Sequence, residues 1–368
     1  MSDFFLADDL SGALDAAAGF HRAGRQVEVA LDAGAWTTRP GVVTGVTTET
    51  RNARPEEAAA SVAKVIEDAG RRGARLVFKK IDSTLRGPVA AELGALLRAL
   101  PDARVLFCPA NPAAGRTVRG GLLQVHGMPV AETEFARDPV CPVRESDLRR
   151  LLGAAATDRV VIADAETEAD LGRAVAAMDS AGRPWVAVGS GALARPVAAL
   201  RPERENIAAG SPVVAPGAVL MICGSAHAAN RAQAAELARL RRVPVREVSP
   251  ADVAAAIQAG SSGVRQAGAA SLLLGAARIE PAIALSAIVR VAAGVAAETG
   301  VRRLFVTGGE TAFALCGALG LRALEYRAEL EPGLALAVGD GWRLAVKPGG
   351  FGSAGTWVRA FDALRGGE

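Results

Sequence analysis

The stretch FFLADDLSGALDAA, Phe4 to Ala17, passes directly from an apolar run into a helical pattern, with two carboxylates at the junction. Phe4 to Ala7 has the length and character of a buried strand, and Leu10 to Ala23, closed by Gly24, has Ala and Leu at helical spacing. Outward from there the alternation repeats. Strands are predicted at Gln26–Leu31, Leu76–Lys79, Val105–Cys108, Val160–Ala163 and Trp185–Val188, and helices at Pro55–Arg72, Val89–Leu100, Glu145–Ala155 and Glu168–Ala181. Repeated βα units of this kind build a mainly parallel sheet. Residues 201–217, RPERENIAAGSPVVAPG, lack periodicity and read as a linker. Beyond them, strands are predicted at Val219–Cys223, Val243–Val248, Ser271–Leu274, Leu304–Thr307 and near Trp342–Val346, with helices at Ala226–Leu240, from Pro250, and at Pro281–Thr299. The expected fold class is α/β: two lobes with mainly parallel sheets, 1–208 and 209–368, and an inter-lobe cleft of the kind that binds ligands.

Composition limits the partners. A chain of 368 residues that is 50% hydrophobic and 22% charged has enough apolar material to bury a core, which excludes disorder. Its 42 basic and 39 acidic residues give a net charge of +3 with no cluster able to neutralise a run of phosphates, so nucleic acid is not an expected partner. Nor is a membrane: Arg290 divides the apolar stretch 282–297, and Asp3, Asp8 and Asp9 deny the N-terminus a secretory layout, which points to the cytoplasm. Four cysteines (108, 141, 223, 316) and three histidines (21, 126, 227) are dispersed, so neither a zinc site nor a disulfide framework is expected. Lysine occurs only at 64, 79, 80 and 347 against 38 arginines, and three of those four lie beside the motifs below.

Asp8 and Asp9 stand where open α/β sheets bind ligands. One of them caps the helix, or the pair also holds a sugar hydroxyl or accepts its proton. The segment LVFKKIDSTLRGPVAAEL sets Lys79, Lys80, Asp82, Ser83, Thr84 and Arg86 ahead of a helix opened by Gly87 and Pro88, a set suited to a small polyhydroxylated anion. In the long stretch that follows, Arg116, Thr133 and Asp138 either close over a substrate or belong to a structural β-excursion. WVAVGSGALARP formally satisfies a dinucleotide fingerprint through Gly189, Gly191 and Ala194. The acidic residues Glu203 and Glu205 come too early after it, so a tight packing turn is the preferred reading.

Three glycine turns follow strands in the second lobe: ICGSAHAANRAQ, LFVTGGETAFAL and LAVKPGGFGSAG. Each lets backbone N–H groups approach phosphate oxygens, and Lys347 is placed to reach a phosphate. Glu310 would repel a triphosphate unless it met a ribose hydroxyl or a Mg2+ shell. No GxxxxGK[ST] segment occurs.

Taken in order, ADDLSGALDAA, KKIDSTLRG, CPANPAAGRTVRGG, HGMPVAETEFARDPV, GSA, TGGETA and KPGGFG resemble the four-carbon acid sugar kinases over most of the chain. The resemblance implies ATP-dependent phosphorylation of the terminal hydroxyl of threonate, erythronate or an oxo-tetronate, with the acid in the first lobe, ATP in the second and Mg2+ bridging the phosphates. Carried onto this chain, Asp8, Asp9, Lys80, Asp82, Ser83, Thr84 and Arg86 line the substrate side, with Arg116 from the long loop. Ser225, Gly308, Gly309, Glu310, Thr311, Gly349 and Gly350, together with Lys347, hold the nucleotide. On this reading Arg86 and Lys80 grip the carboxylate or the transferring phosphoryl, and Asp9 or Asp82 receives the hydroxyl proton; no metal ligands are assigned. The chain departs from the pattern at Pro88, His227 and Gly350 and in a shorter second lobe. Two rival readings stand beside the kinase: an NAD-dependent sugar-acid dehydrogenase built on the 189–194 glycines, and a non-catalytic sugar-acid-binding protein. A homodimer is compatible with each.

Overall fold

Phe4, Phe5, Leu6 and Ala7 have no exposure to solvent, because the first strand of the chain lies in the interior of a sheet. The computed structural model describes residues 2–201, 216–225, 227–275 and 279–366. The chain divides into two compact units, 1–207 and 208–368. The boundary expected at 208/209 lies outside the described residues.

The first unit runs β1 (Ser2–Ala7), α1 (Leu10–Arg22), β2 (Gln26–Ala30), β3 (Val42–Thr47), α2 (Pro55–Arg71), β4 (Ala74–Lys80), α3 (Val89–Ala99) and β5 (Arg104–Cys108). It continues through β6 (Arg116–Arg119), β7 (Leu122–Val125), β8 (Met128–Pro129), α4 (Leu148–Leu152), β9 (Val160–Ile162), α5 (Glu168–Ser180), β10 (Trp185–Gly189) and α6 (Gly191–Ala199). Strand order is β2-β3-β1-β4-β10-β5-β9, with every neighbouring pair parallel. From β1 the chain leaves toward β2; from β4 it leaves toward β5. The connections therefore diverge between β1 and β4, the position at whose carboxyl ends open α/β sheets bind ligands.

β3, VVTGVT, was not anticipated from the sequence. Both of its faces are covered, so it shows no alternation. Its central glycine admits the Phe5 ring, since a Cβ at Gly45 would come 2.7 Å from Phe5 Cε2. The helix expected over Glu145–Ala155 shrinks to α4 and a 3-10 turn, because the Asp147 side chain caps the N–H groups of Arg149 and Arg150 and Gly153 turns with φ 51°. β6, β7 and β8 form the β-excursion in the long loop after β5.

The second unit runs β11 (Val219–Cys223), α7 (Ala228–Arg241), β12 (Val245–Val248), α8 (Val253–Ala267), β13 (Ala269–Leu274), α9 (Pro281–Thr299), β14 (Arg303–Thr307), α10 (Gly309–Ala318), β15 (Ala323–Glu331), β16 (Leu334–Gly339), β17 (Trp342–Lys347) and α11 (Thr356–Arg365). Strands β12-β13-β11-β14-β17 are parallel, and β16 and β15 continue the order antiparallel. Connections diverge here between β11 and β14. Phe305 of β14 meets Trp357 of α11 edge-on at 5.1 Å, in a core that includes Met221, Leu237 and Phe361. Each such large apolar side chain contributes ~1.5–3 kcal/mol by leaving water. α9 has the length and apolarity of a membrane span; one face of it lies against α8, β11 and β13, and Arg290 is exposed.

Candidate active site

At the divergence point of the first unit, the turn after β1 meets the turn after β3. Backbone N–H groups of Thr50 and Arg51 donate to the Asp8 carbonyl at 2.9 and 3.2 Å, which docks the TETR turn beside the DDLSG turn. Arg51 then grips both carboxylates. Nε and Nη2 donate to Asp8 at 2.9 Å each, and Nη1 and Nη2 donate to Asp9 at 2.7 and 2.6 Å. Asp9 also caps α1, accepting from Gly12 N at 2.7 Å and Ser11 Oγ at 2.6 Å. Burial alone would raise the Asp8 carboxyl, but the Arg51 guanidinium and the Lys79 and Lys80 ammoniums hold it below its ordinary value. The same two carboxylates, outweighing burial, raise Arg51.

The turn after β4 builds a second clamp. Arg86 Nε and Nη2 each donate to Asp82 at 3.0 Å, and Thr84 donates to it from both its backbone N–H and its hydroxyl. Burial opposes ionisation of Asp82, yet Arg86, Arg51 and the Thr84 hydroxyl keep it well below the usual carboxylate range. Arg116, delivered by β6, donates to Ser83 Oγ at 2.5 Å. Phe135 of the same excursion lies under both guanidiniums, 5.8 Å from Arg86 and 5.7 Å from Arg116, and Asp138 reaches Arg86 at 3.5 Å. The excursion thus holds Arg86 and Arg116 in place, as a structural element of the turn after β4.

Strand periodicity sorts the adjacent lysines. Lys79 points away and pairs with Glu92 of α3 at 2.9 Å, both fully buried, with Thr50 Oγ1 on the other Glu92 oxygen at 2.5 Å. Lys80 points toward the crevice, 3.7 Å from Asp15 of α1. There a Cβ on Gly12 would stand 2.6 Å from Asp9 Oδ1 and 3.1 Å from Lys80 Nζ, so the glycine lets carboxylate and ammonium converge. Glu49, at φ 50°, accepts from Thr47 Oγ1 at 2.5 Å, and burial pushes its carboxyl up to about 8.

In the second unit, the three glycine turns lie at the carboxyl ends of the adjacent strands β11, β14 and β17. Gly308, at φ 105°, caps α10 and donates its N–H to the Lys347 carbonyl at 2.9 Å. A Cβ on Gly224 would overlap Thr311 Oγ1. One on Gly349 would stand 3.1 Å from Ser225 Oγ, and one on Gly350 would stand 2.8 Å from His227 Nε2. Backbone approach here therefore depends on glycine. Glu310 lies exposed in the first turn of α10.

Asp8, Asp9, Lys80, Asp82, Ser83, Thr84, Arg86 and Arg116 thus gather in the first unit, and Ser225, Gly308 to Thr311, Lys347, Gly349 and Gly350 in the second. Arg51, Glu49, Asp15 and Phe135 were not singled out from the sequence. Arg51 is one arginine among 38, and the strand that delivers it was not recognised. The 189–194 glycines serve packing: a Cβ on Gly189 would overlap the Cys108 carbonyl, and one on Gly191 the Asp15 carboxylate. Among the described residues no cluster of three His, Cys, Asp or Glu side chains could hold a metal ion.

Residues 4–157 match a family model described as a sugar-binding N-terminal domain, and residues 220–356 one described as a nucleotide-binding C-terminal domain. The chain is 34% identical over 400 residues to a D-threonate kinase of Bordetella bronchiseptica, covering 98% of this chain and 96% of that protein. It is 31% identical over 427 residues to a 3-oxo-tetronate kinase of Cupriavidus necator, covering 98% and 96%. A solved structure of a domain of unknown function from Bordetella bronchiseptica, a domain-swapped dimer with bound citrate, is 32% identical and superposes with a TM-score of 0.51 over 100% of this chain and 99% of that one.

Proposed function

The chain belongs to the four-carbon acid sugar kinases, and from that membership we propose that it transfers the γ-phosphoryl group of ATP to the terminal hydroxyl of threonate, erythronate or 3-oxo-tetronate. The observation that carries this reading is the division of chemistry between the units. Carboxylates and cations line the divergence point of the first, and glycine turns with a helix N-terminus line that of the second. The dehydrogenase reading loses its support because its glycines are taken up in packing.

In this reading Arg86 and Arg116, propped by Phe135, receive the substrate carboxylate. Lys80 faces the transferring phosphoryl. Asp9 and Asp82 already accept four or more hydrogen bonds each, which fills a carboxylate's acceptor positions. Asp15, 29% exposed and 3.7 Å from Lys80, is the carboxylate assigned here to take the hydroxyl proton. The turns at Gly224–Ser225, Gly308–Thr311 and Gly349–Gly350 admit the phosphates of ATP, where a side chain would block them. Mg2+ would arrive with those phosphates, keeping several waters and at most one or two protein carboxylates, and would neutralise charge on the transferring group. The citrate in the related structure, a small polycarboxylate, fits the substrate class, and its swapped dimer fits a homodimer here. Dependence on ATP points to the cytoplasm.

The test is ADP formation with ATP and Mg2+ across a panel of four-carbon acids. Asp15→Asn should lower kcat by ~10²–10⁴ with little change in KM for the acid. Arg86→Ala should raise that KM, and Asp82→Asn, which releases Arg86, should follow it. Parent-like turnover in Asp15→Asn and Arg86→Ala, or ADP formation indifferent to the acid, would refute the assignment.

A further inference from the structure

Lys347 ends β17, where the sequence sets a cation within reach of a phosphate. The structure turns it inward. Its Nζ donates to Asn230 Oδ1 of α7 at 3.0 Å and to the carbonyl oxygens of Pro348, Gly349 and Phe351 at 3.3, 2.8 and 2.8 Å. The residue is 1% exposed. An ammonium has three N–H donors, so these acceptors engage all of them.

A trans peptide unit is planar, with its N–H directed opposite to its C=O, and no cis peptide occurs among the described residues. Carbonyls of Pro348, Gly349 and Phe351 that converge on the ammonium therefore turn the N–H groups of Gly349, Gly350 and Gly352 away from it. Gln233 Nε2 donates to the Phe351 carbonyl at 3.3 Å, and Ser353 N to Thr356 Oγ1 at 2.9 Å, which ties down the rest of the turn.

We propose that Lys347 is a positioning residue for the nucleotide: by gathering the turn's carbonyls inward it presents the turn's amide N–H groups to a phosphate, and it does not touch the phosphate itself. The inference rests on the nucleotide reading of the second unit. It makes binding depend on the charge of an amine that never meets the ligand. Burial pushes the Lys347 amine down to about 8, against the opposing influence of Cys223 on β11 and Glu331 on β15. Arg231 of α7 acts on the same Cys223 thiol. A neutral amine keeps two N–H groups and turns a lone pair toward the carbonyls, so the gathered turn is present below about pH 8 and relaxes as pH rises through it.

The experiment is calorimetric titration of the full chain with ADP between pH 6.5 and 9.5 at low and high salt. Affinity of the parent should fall as pH rises through about 8. Lys347→Met should bind ADP ~10–100-fold more weakly at neutral pH, as when a supporting partner behind a ligand is lost. It should lose the pH step and keep the parent's salt dependence, because no ion pair with phosphate has been removed. Asn230→Asp, which sets a carboxylate beside the ammonium, should move the step to higher pH, and it tests the same role if the Met variant does not fold. ADP affinity in Lys347→Met equal to the parent's, a flattened salt dependence, or a step that Asn230→Asp leaves in place would each overturn the positioning role alone. A parent that binds no ADP at any pH would overturn the nucleotide reading and this inference with it.

Discussion

Replacing Arg51 by Met removes the guanidinium that spans Asp8 and Asp9. Four hydrogen bonds of 2.6 to 2.9 Å are lost, and two buried carboxylates from consecutive residues are left facing each other. Charge-assisted bonds contribute ~1.5–3 kcal/mol each, so a simple sum gives about 6–12 kcal/mol. That sum overshoots, because the freed carboxylates recover water or a proton; breaking one partner of a buried ion pair costs ~3–5 kcal/mol. At ~2–4 °C per kcal/mol for domains of this size, the melting temperature should fall by about 6–20 °C. The loss depends on pH in a definite direction. Asp8 is held below its ordinary value, so in the parent its ionised form contributes stability above that value, lost as pH falls through the depressed one. Without Arg51, burial is unopposed by that guanidinium and the carboxyl protonates at higher pH, which relieves the repulsion. The deficit should therefore be largest near pH 7 and shrink toward pH 4. Scanning calorimetry of parent and variant across that range checks it, with Arg51→Lys, a single point charge unable to bridge both acids, falling between them. A deficit under about 1 kcal/mol, or one that grows on acidification, would refute the argument.

Two further outcomes follow from the same geometry. Glu49 is pushed up to about 8, so the stability of its protonated form is present below 4.5 and lost as pH rises through about 8. Glu49→Gln should match the parent's melting temperature at pH 4.5 and exceed it at pH 9, and a difference independent of pH would exclude the buried carboxyl as its cause. Gly224→Ala sets a methyl group against Thr311 Oγ1 and should raise KM for ATP by ~10-fold or more without changing KM for the acid. The double variant Gly224→Ala with Thr311→Ala should recover part of the loss, and no recovery would place the effect elsewhere.

The strand-to-helix passage at Phe4–Ala17, the βα alternation on both sides of the linker and the glycine turns after strands are local signals. They arise from hydrogen-bonding period and steric freedom within a few residues, so the α/β class and the placing of the glycine turns at strand ends were legible in the order of amino acids alone. That one of the two aspartates caps α1 was equally legible, since a cap is a contact between near neighbours, and the structure gives the role to Asp9. What folding decided is which distant groups complete those segments. β3, fully buried and broken by Gly45, hid the turn that carries Arg51 and Glu49, and only its place beside β1 brings that guanidinium onto Asp8 and Asp9. The pleat of β4 separated Lys79, a buried partner of Glu92, from Lys80, which faces the site. Lys347 could be read from the chain as a phosphate contact. Burial against α7 made it a donor to its own loop, because an ammonium removed from water must satisfy its N–H groups with whatever oxygens the fold supplies.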